Sequence, residues 1–326
     1  MKRFKNILCV VDMNTPCEPA LKRAVSLAES NQASLTVVTV GKQIEERIRL
    51  TKDGPSPGDL QAAVKQAHEQ ALAMLLDPFR PHIEITTRVL TGIPFLEIIR
   101  EVLRNGHDLV IKTPDSHKWL HRLFGSNDMH LLRKCPCPVW LIKPEAKKSW
   151  RCILAAVDVD DAYPSHELDT KQALNRQIFE MASSLALSDF AELHLVHAWD
   201  AIGESAMRGA FMRTPEDKIK AYVKQVKKSE ESSMAAFLAA MANAQTDNAV
   251  DYLKPRVHLV KGWARKVIPK QAKKIKADLI VMGTVGRTGI PGFIMGNTAE
   301  EILNSIDCSV LAIKPPEFVT PVTLEE

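Results

Sequence analysis

The sequence predicts an α/β fold written twice in one chain: two tandem doubly wound domains, each with a five-stranded parallel sheet. Three observations predict it. The chain has 326 residues, and a single domain usually takes about 100–200, so two units are expected. Three landmarks recur in the same order in both halves. "NILCVVDMN" (6–14) realigns with "CILAAVDVD" (152–160), "HDLVIK" (107–112) with "ADLIVM" (277–282), and "CPVWLIKP" (137–144) with "CSVLAIKP" (308–315). Finally, short continuous apolar runs alternate with segments of helical spacing, the pattern of a parallel sheet covered on both faces. The halves are residues 1–144 and 151–316, joined by the charged "EAKKSW" and followed by a tail at 317–326.

The elements of the second half follow in order. "CILAAVD" reads as a buried strand. "LNRQIFEMASSLALSD" has helical spacing, with Leu174, Ile178, Met181 and Leu185 on one stripe. "AELHLVHAW" reads as a strand, where His194 and His197 point to opposite faces and serve packing. A long helix then opens with Pro215 and two acids, as a helix start should. "VHLVKG", "DLIVMG" and "CSVLAIKP" are strands, separated by helices in "ARKVIPKQAKKIK" and "TAEEILNSI". The last strand of each half is apolar and lies at an edge, so the halves are expected to pair through these two strands. Pairing of whole chains into a homodimer through other surfaces stays open.

Composition narrows the function classes. Hydrophobic residues make up 45% and charged residues 25%, ordinary values for a soluble globular protein. The net charge is +4, with Lys and Arg spread along the chain and no arginine-rich arm, which argues against nucleic acid as a partner. The apolar run "ILCVV" near the start is shorter than the ~7–15 residues of a signal-peptide core. Nothing approaches the ~18 apolar residues of a membrane span. A cytoplasmic protein is expected. Of the six cysteines, Cys9, Cys152 and Cys308 fall in or beside apolar strands and read as small core residues. Cys135 and Cys137 form C-P-C rather than C-x-x-C, a poor match for a zinc or redox motif.

The stretch "GTVGRTGIPGFIMGNT" (283–298) follows the fourth strand of the second half and holds five glycines. It lies at the carboxyl edge of the sheet, where open α/β sheets bind ligands. Gly283 and Gly286 can take positive φ and let backbone approach a ligand. "GNTAEEIL" opens a helix that Asn297 or Thr298 can cap, with its free amides forming an anion site. A glycine-rich surface loop with an ordinary cap accounts for the same residues, and the chemistry alone leaves both open.

The spacing Gly283-x2-Gly286-x9-Gly296-Asn297-Thr298 resembles the nucleotide-binding signature of the universal stress protein family, G-x2-G-x9-G-[ST], with Asn297 where Ser or Thr is usual. "ILCVVD" and "ILAAVD" resemble the family's first strand ending in Asp, and "LTGIPFLEII" and "VKGWARKVI" its G-x-P-x-x-x-I pattern. The resemblance covers essentially the whole chain and is strongest to tandem-domain bacterial members. It implies a Rossmann-like fold and ATP, with Mg²⁺ as an accompanying ion, across the second half's strand ends. Val157 and Asp158 would approach the adenosine, Ala198 would lie beside the base, and Met282 and Gly283 would flank adenine and ribose. Gly286, Gly296, Asn297 and Thr298 would hold the phosphates, and Val285 would be a further nucleotide-binding residue. Asp158 also reads as a plain strand-end acid.

The first half departs from this pattern. Asp12 and Val40 match the base side, but Thr113 and Ser116 stand where Gly283 and Gly286 would be. Lys112, Asp115, His117, Lys118, Trp119 and His121 add bulk, and only "GSN" (125–127) keeps the last element. No nucleotide is expected there.

No G-x4-G-K-[ST] or G-x-S-x-G sequence occurs, so no catalytic residue is assigned and ATP hydrolysis is expected to be weak at most. His117 and His121, four apart with His130 nearby, are the candidates for a metal, though no fourth ligand follows at standard spacing. The Met-containing connection 199–223 packs on its own sheet or covers a cavity for a hydrophobic small molecule. The reading reached is a stress-response protein that binds ATP in its second half and acts by binding. The alternatives are a slow ATPase, a carrier of a hydrophobic small molecule, and a nucleotide-free scaffold.

Overall fold

The structure is a computed structural model that describes residues 4–44, 54–115, 124–146, 149–161, 163–209, 212–244, 249–284 and 295–324. The first half runs β1 (Asn6–Val10), α1 (Glu18–Asn31), β2 (Ser34–Gly41), α2 (Pro57–Leu76), β3 (Ile85–Thr91), α3 (Pro94–Asn105), β4 (Leu109–Lys112), α4 (Ser126–Lys134) and β5 (Val139–Leu141). The second runs β6 (Cys152–Ala156), α5 (Ser165–Asp189), β7 (Glu192–Trp199), α6 (Glu204–Arg208), α7 (Glu216–Ala244), α8 (Ala249–Leu253), β8 (Arg256–Lys261), α9 (Ala264–Ile275), β9 (Leu279–Gly283), α10 (Asn297–Leu303) and β10 (Ser309–Ile313).

All ten strands form one sheet in the order β3-β2-β1-β4-β5-β10-β9-β6-β7-β8. Each half is a parallel doubly wound sheet, and its strand order reverses between the first and fourth strands: β1 beside β4, and β6 beside β9. The halves join where expected. β5 and β10 pair antiparallel, Leu311 opposite Trp140 and Val310 opposite Leu141, so each last strand hides the other's edge.

Strand alternation sends side chains to two apolar layers. Ile7 and Cys9 belong to the layer that α1, α2, α5 and α7 cover, whereas Leu8 and Val10 belong to the layer that α3, α4, α9 and α10 cover. The connector "EAKKSW" ends in the core: Trp150 is buried and meets Trp140 edge-on at 5.1 Å. The guanidinium of Arg23 lies 4.5 Å from the Trp150 ring centre and is paired with Asp189 at 2.8 Å. In the C-terminal tail, Phe318 and Val322 are buried. Positive φ occurs at the matched Gly92 and Gly262, which lead into α3 and α9; a Cβ there would lie 3.0 Å from Glu97 and Val267 respectively.

Candidate functional site

The second half's reversal point gathers the carboxyl ends of β6, β7 and β9 and the start of α10. Val157 extends β6 by donating its amide to Val196 at 3.0 Å. Asp158 follows, and its backbone is gripped by one side chain of α5. Asn175 accepts the Asp158 amide at 3.0 Å and donates to the Asp158 carbonyl at 2.6 Å. The Asp158 carboxylate accepts from Lys171 at 2.8 Å and from the Tyr163 hydroxyl at 3.1 Å, yet stays 46% exposed. Burial pulls the Lys171 amine down, but the charge of Asp158 and the hydrogen bonds of Asp158 and Tyr163 outweigh it, and the net shift is upward. Burial pushes the Tyr163 phenol up.

α5 begins at Ser165, earlier than its apolar stripe suggests, because Pro164 stands at the N-cap position and the first turns are mostly polar. That early start brings Lys171 to Asp158. Sequence reading missed Lys171 because it falls before the periodic part of the helix.

Met282 is buried in β9, and Ala198 is half-buried in β7 opposite Val260. Gly283 corrects one expectation. It is the last residue of β9, paired with Ile313, and its φ is not positive. A Cβ there would lie 2.7 Å from Leu174 Cδ2, so the missing side chain admits a core leucine of α5. Val285 and Gly286 lie outside the described residues, as do Ser116, His117, Lys118, Trp119 and His121.

The base of the glycine stretch is closed by Thr284, a fully buried residue the motif did not single out. Its carbonyl accepts from the Gly296 amide at 3.2 Å, and its hydroxyl accepts from Lys314 at 2.6 Å. Lys314 also donates to the carbonyls of Leu132 at 2.5 Å and Arg133 at 3.3 Å, at the end of α4. Burial pulls its amine down to about 7. Its repeat counterpart, Lys143, pairs instead with the exposed Asp307 at 2.6 Å.

The α10 start corrects a second expectation. Gly296 occupies the cap position, no side chain caps the helix, and Asn297 and Thr298 are exposed. The first-turn amides are thus presented at the carboxyl edge, as an anion requires.

The first half fills the corresponding place with its own residues. The Asp128 carboxylate accepts the Gly125 amide at 2.9 Å and the Asp115 amide at 2.7 Å. Lys112 donates to Asp128 and to the Thr113 carbonyl at 2.8 and 2.9 Å, and it also pairs with Asp115. These carboxylates raise the buried Lys112 amine, opposing the burial that would lower it. Burial pushes Asp128 up, and Lys112 and the Gly125 amide oppose it; with two amides and an ammonium on it, we read the pair as charged. Asp12 spends its carboxylate on Asn14 in a local turn.

Residues 3–143 and 168–314 match the model of the universal stress protein family. The chain belongs to that family. Universal stress protein E of Escherichia coli (strain K12) is 31% identical over all of this chain and 99% of its own length. A Universal stress protein E homolog from Haemophilus influenzae is 30% identical over 96% of this chain and 98% of its own. Among solved structures, a Putative Universal Stress Protein from Pseudomonas aeruginosa UCBPP-PA14 superposes with a TM-score of 0.70 at 26% identity, over 96% of this chain and 94% of its own. A universal stress protein from Archaeoglobus fulgidus shares the fold at 17% identity, with a TM-score of 0.60 over 95% of this chain and 98% of its own. The fold of this member is therefore the family's.

The other candidates for chemistry resolve into packing. All six cysteines are free and buried, with Cys135 and Cys137 Sγ atoms 3.6 Å apart. His130 stacks on Phe95 at 4.4 Å. His197 lies 3.1 Å from Glu230, and His194 lies 2.8 Å from His258 on the opposite face of β7. No cluster of three metal-ligating side chains occurs among the described residues. No described helix is long and apolar enough to cross a membrane. The connection after β7 is tied by Arg208 to Glu204 and Glu216 and by Tyr222 to the Ile202 carbonyl.

Proposed function

We propose that the chain is a cytoplasmic stress-response protein that holds one ATP at the second half's reversal point and acts through binding. One observation carries the reading: α10 starts uncapped beside Thr284, whereas the matched start of α4 is filled by Asp128. The fit to ATP is good on the phosphate side, where Asn297 and Thr298 offer first-turn amides and a hydroxyl, the Gly296 amide being held by the Thr284 carbonyl. On the adenosine side, Lys171 neutralises Asp158 and leaves its half-exposed carboxylate to accept a ribose hydroxyl. Val157, Ala198 and Met282 supply the apolar wall. Bound triphosphate would bring its own charge and, with Mg²⁺, its own counterion.

Hydrolysis has little help from the chain. No lysine of the P-loop type is present, and the lysine nearest the adenosine side already serves Asp158. Turnover is expected well below the ~1–10³ s⁻¹ of typical enzymes. A nucleotide-free scaffold is the second reading, favoured by Gly283 and Asp158 both being satisfied within the chain.

Mass spectrometry of the natively purified protein and calorimetry with ATP separate the two. The ATP reading expects one nucleotide per chain, lost in Gly286→Val and weakened by about 1.5–3 kcal/mol in Thr298→Ala. Ser116→Val should leave the stoichiometry at one. No heat with ATP at millimolar concentration establishes the scaffold.

A further inference from the structure

The second half carries a concentration of charge that its fold does not need. α9 holds Arg265, Lys266, Lys270, Lys273 and Lys274 and no acid, and Lys276 follows at its end. Arg265 and Lys266 stand in the first turn, where the helix dipole disfavours cations. The matched helix of the first half, α3, balances Arg100 and Arg104 with Glu97 and Glu101, and Arg100 donates to Glu97 at 2.7 Å. The same place in the same fold is therefore built without the imbalance. Arg265 pairs with Glu301 at 2.8 Å; among the described residues, the five lysines form no ion pair.

These side chains are not scattered over a flat surface. Arg265, Lys266, Lys270, Lys273 and Lys276 line a groove of about 630 Å³ whose other wall includes Ser305 and Asp307. Asp307, the acid in that wall, is already held by Lys143 at 2.6 Å. Lys266, Lys270 and Lys273 follow one another at helical spacing on one stripe. At the head of the stripe, Trp263 is 55% exposed, with Arg265 and Lys266 4.6 and 5.2 Å from its ring centre.

We propose that this groove binds single-stranded nucleic acid, its phosphates following the α9 lysines and a base stacking on Trp263. A cationic channel beside an exposed aromatic ring is the combination that holds single strands without sequence preference. A linear chain can enter the concavity, which a flat bilayer cannot follow. The net charge of +4 hid this surface because acids elsewhere in the chain offset the lysines of α9. The groove runs along α9, none of its lining residues belongs to the nucleotide reading, and the proposal does not depend on it.

The test is fluorescence anisotropy with a labelled oligouridylate of about 15 nucleotides, titrated from about 50 to 200 mM salt. Four lysine contacts predict a slope of log affinity on log salt of about −3, at about −0.7 per contact for single strands. Lys270→Glu with Lys273→Glu should weaken binding at least about tenfold and flatten the slope by about 1.4. Trp263→Ala should weaken it about tenfold with the slope unchanged, because stacking releases no counterions. Circular dichroism and melting check that each variant is folded. Lys224→Glu with Lys228→Glu, exposed on α7, should leave binding as it was. The proposal is overturned by absence of binding at about 50 mM salt, or by an equal loss in the α7 variant. Insensitivity to Trp263→Ala would overturn it too, as would tighter binding to phosphatidylglycerol vesicles that depends on Lys270 and Lys273.

Discussion

At the first reversal point, Asp128 takes the Gly125 and Asp115 amides while Lys112 neutralises it; at the second, the repeat places Ala299 and Met282 at those positions and α10 starts without a side-chain cap. The strands beneath are the same, and so is the order in which they pair. The difference is who supplies the anion. One half carries its own carboxylate inside the fold, and the other presents the helix start to whatever binds there. A duplicated domain can lose a ligand site in this way without losing the fold, since a buried ion pair puts a carboxylate of the chain's own at the helix start, where in the second half the Thr284 carbonyl takes the Gly296 amide.

The largest expected effect comes from breaking that internal pair. Asp128→Ala leaves Lys112 buried with the partly exposed Asp115 as its remaining carboxylate, and removing one member of a buried pair costs about 3–5 kcal/mol. Adding Lys112→Met copies the second half's residues and should recover most of that loss, because both charges are gone. Urea unfolding of the two variants measures it. A single variant costing under about 1 kcal/mol would mean the pair is not the element that distinguishes the halves. ATP binding to the double variant would sharpen the comparison by showing that the carboxylate alone closed the first site.

Gly283 comes next. A valine there would press on Leu174, and overpacking of this kind costs about 1–3 kcal/mol. Leu174→Ala in the same chain should remove the clash, so the double variant should lose less than the two singles added together. Strictly additive losses would show that the glycine serves the turn or a ligand instead.

What the sequence disclosed and what it withheld divide along the same line. The repeat exposed the strands and their order, because buried parallel strands are continuous apolar runs. It exposed the pairing of the halves, because "CPVWLIKP" and "CSVLAIKP" carry the same apolar pattern at a sheet edge. It also placed Asp158 and the described ends of the glycine stretch, Gly283, Thr284 and Gly296, at the carboxyl edge. It did not disclose that Leu174 needs Gly283 bare, since that contact joins segments far apart in the chain, or that Lys171 meets Asp158, since Lys171 precedes the periodic part of α5. Lys112 read as bulk and nothing in the spacing singled out Asp128; only folding makes them a pair.

A third prediction uses the matched lysines at the ends of the last strands. Lys314 has its amine pulled down to about 7 by burial, below the value it regains when unfolded. The unfolded chain therefore binds the extra proton above pH 7, and this residue makes stability rise with pH from about 7 toward 10.5, by at most ~1.4 kcal/mol per pH unit. Burial raises the thiols of Cys152 and Cys308 to about 11 and 12, which makes stability fall as unfolded thiols ionise, so the window to measure ends near pH 8. The difference between wild type and Lys314→Met isolates the lysine. If the two show parallel stability curves between pH 7 and 8, the amine stays protonated throughout, held by the Leu132, Arg133 and Thr284 oxygens.

The smallest effect is expected at the repeat-matched Lys143. Its partner Asp307 is 92% exposed, so the pair is screened by solvent and salt and contributes about 0–1 kcal/mol. Lys143→Met should shift the unfolding midpoint barely, less still in high salt. The buried and exposed lysines occupy equivalent places in the repeat, yet only Lys314 reaches Thr284 beneath the glycine stretch. If Lys143→Met altered nucleotide affinity as strongly as Lys314→Met, the two halves would be coupled through the β5–β10 joint, and the asymmetry between their reversal points would belong to the pair of halves and not to the second alone.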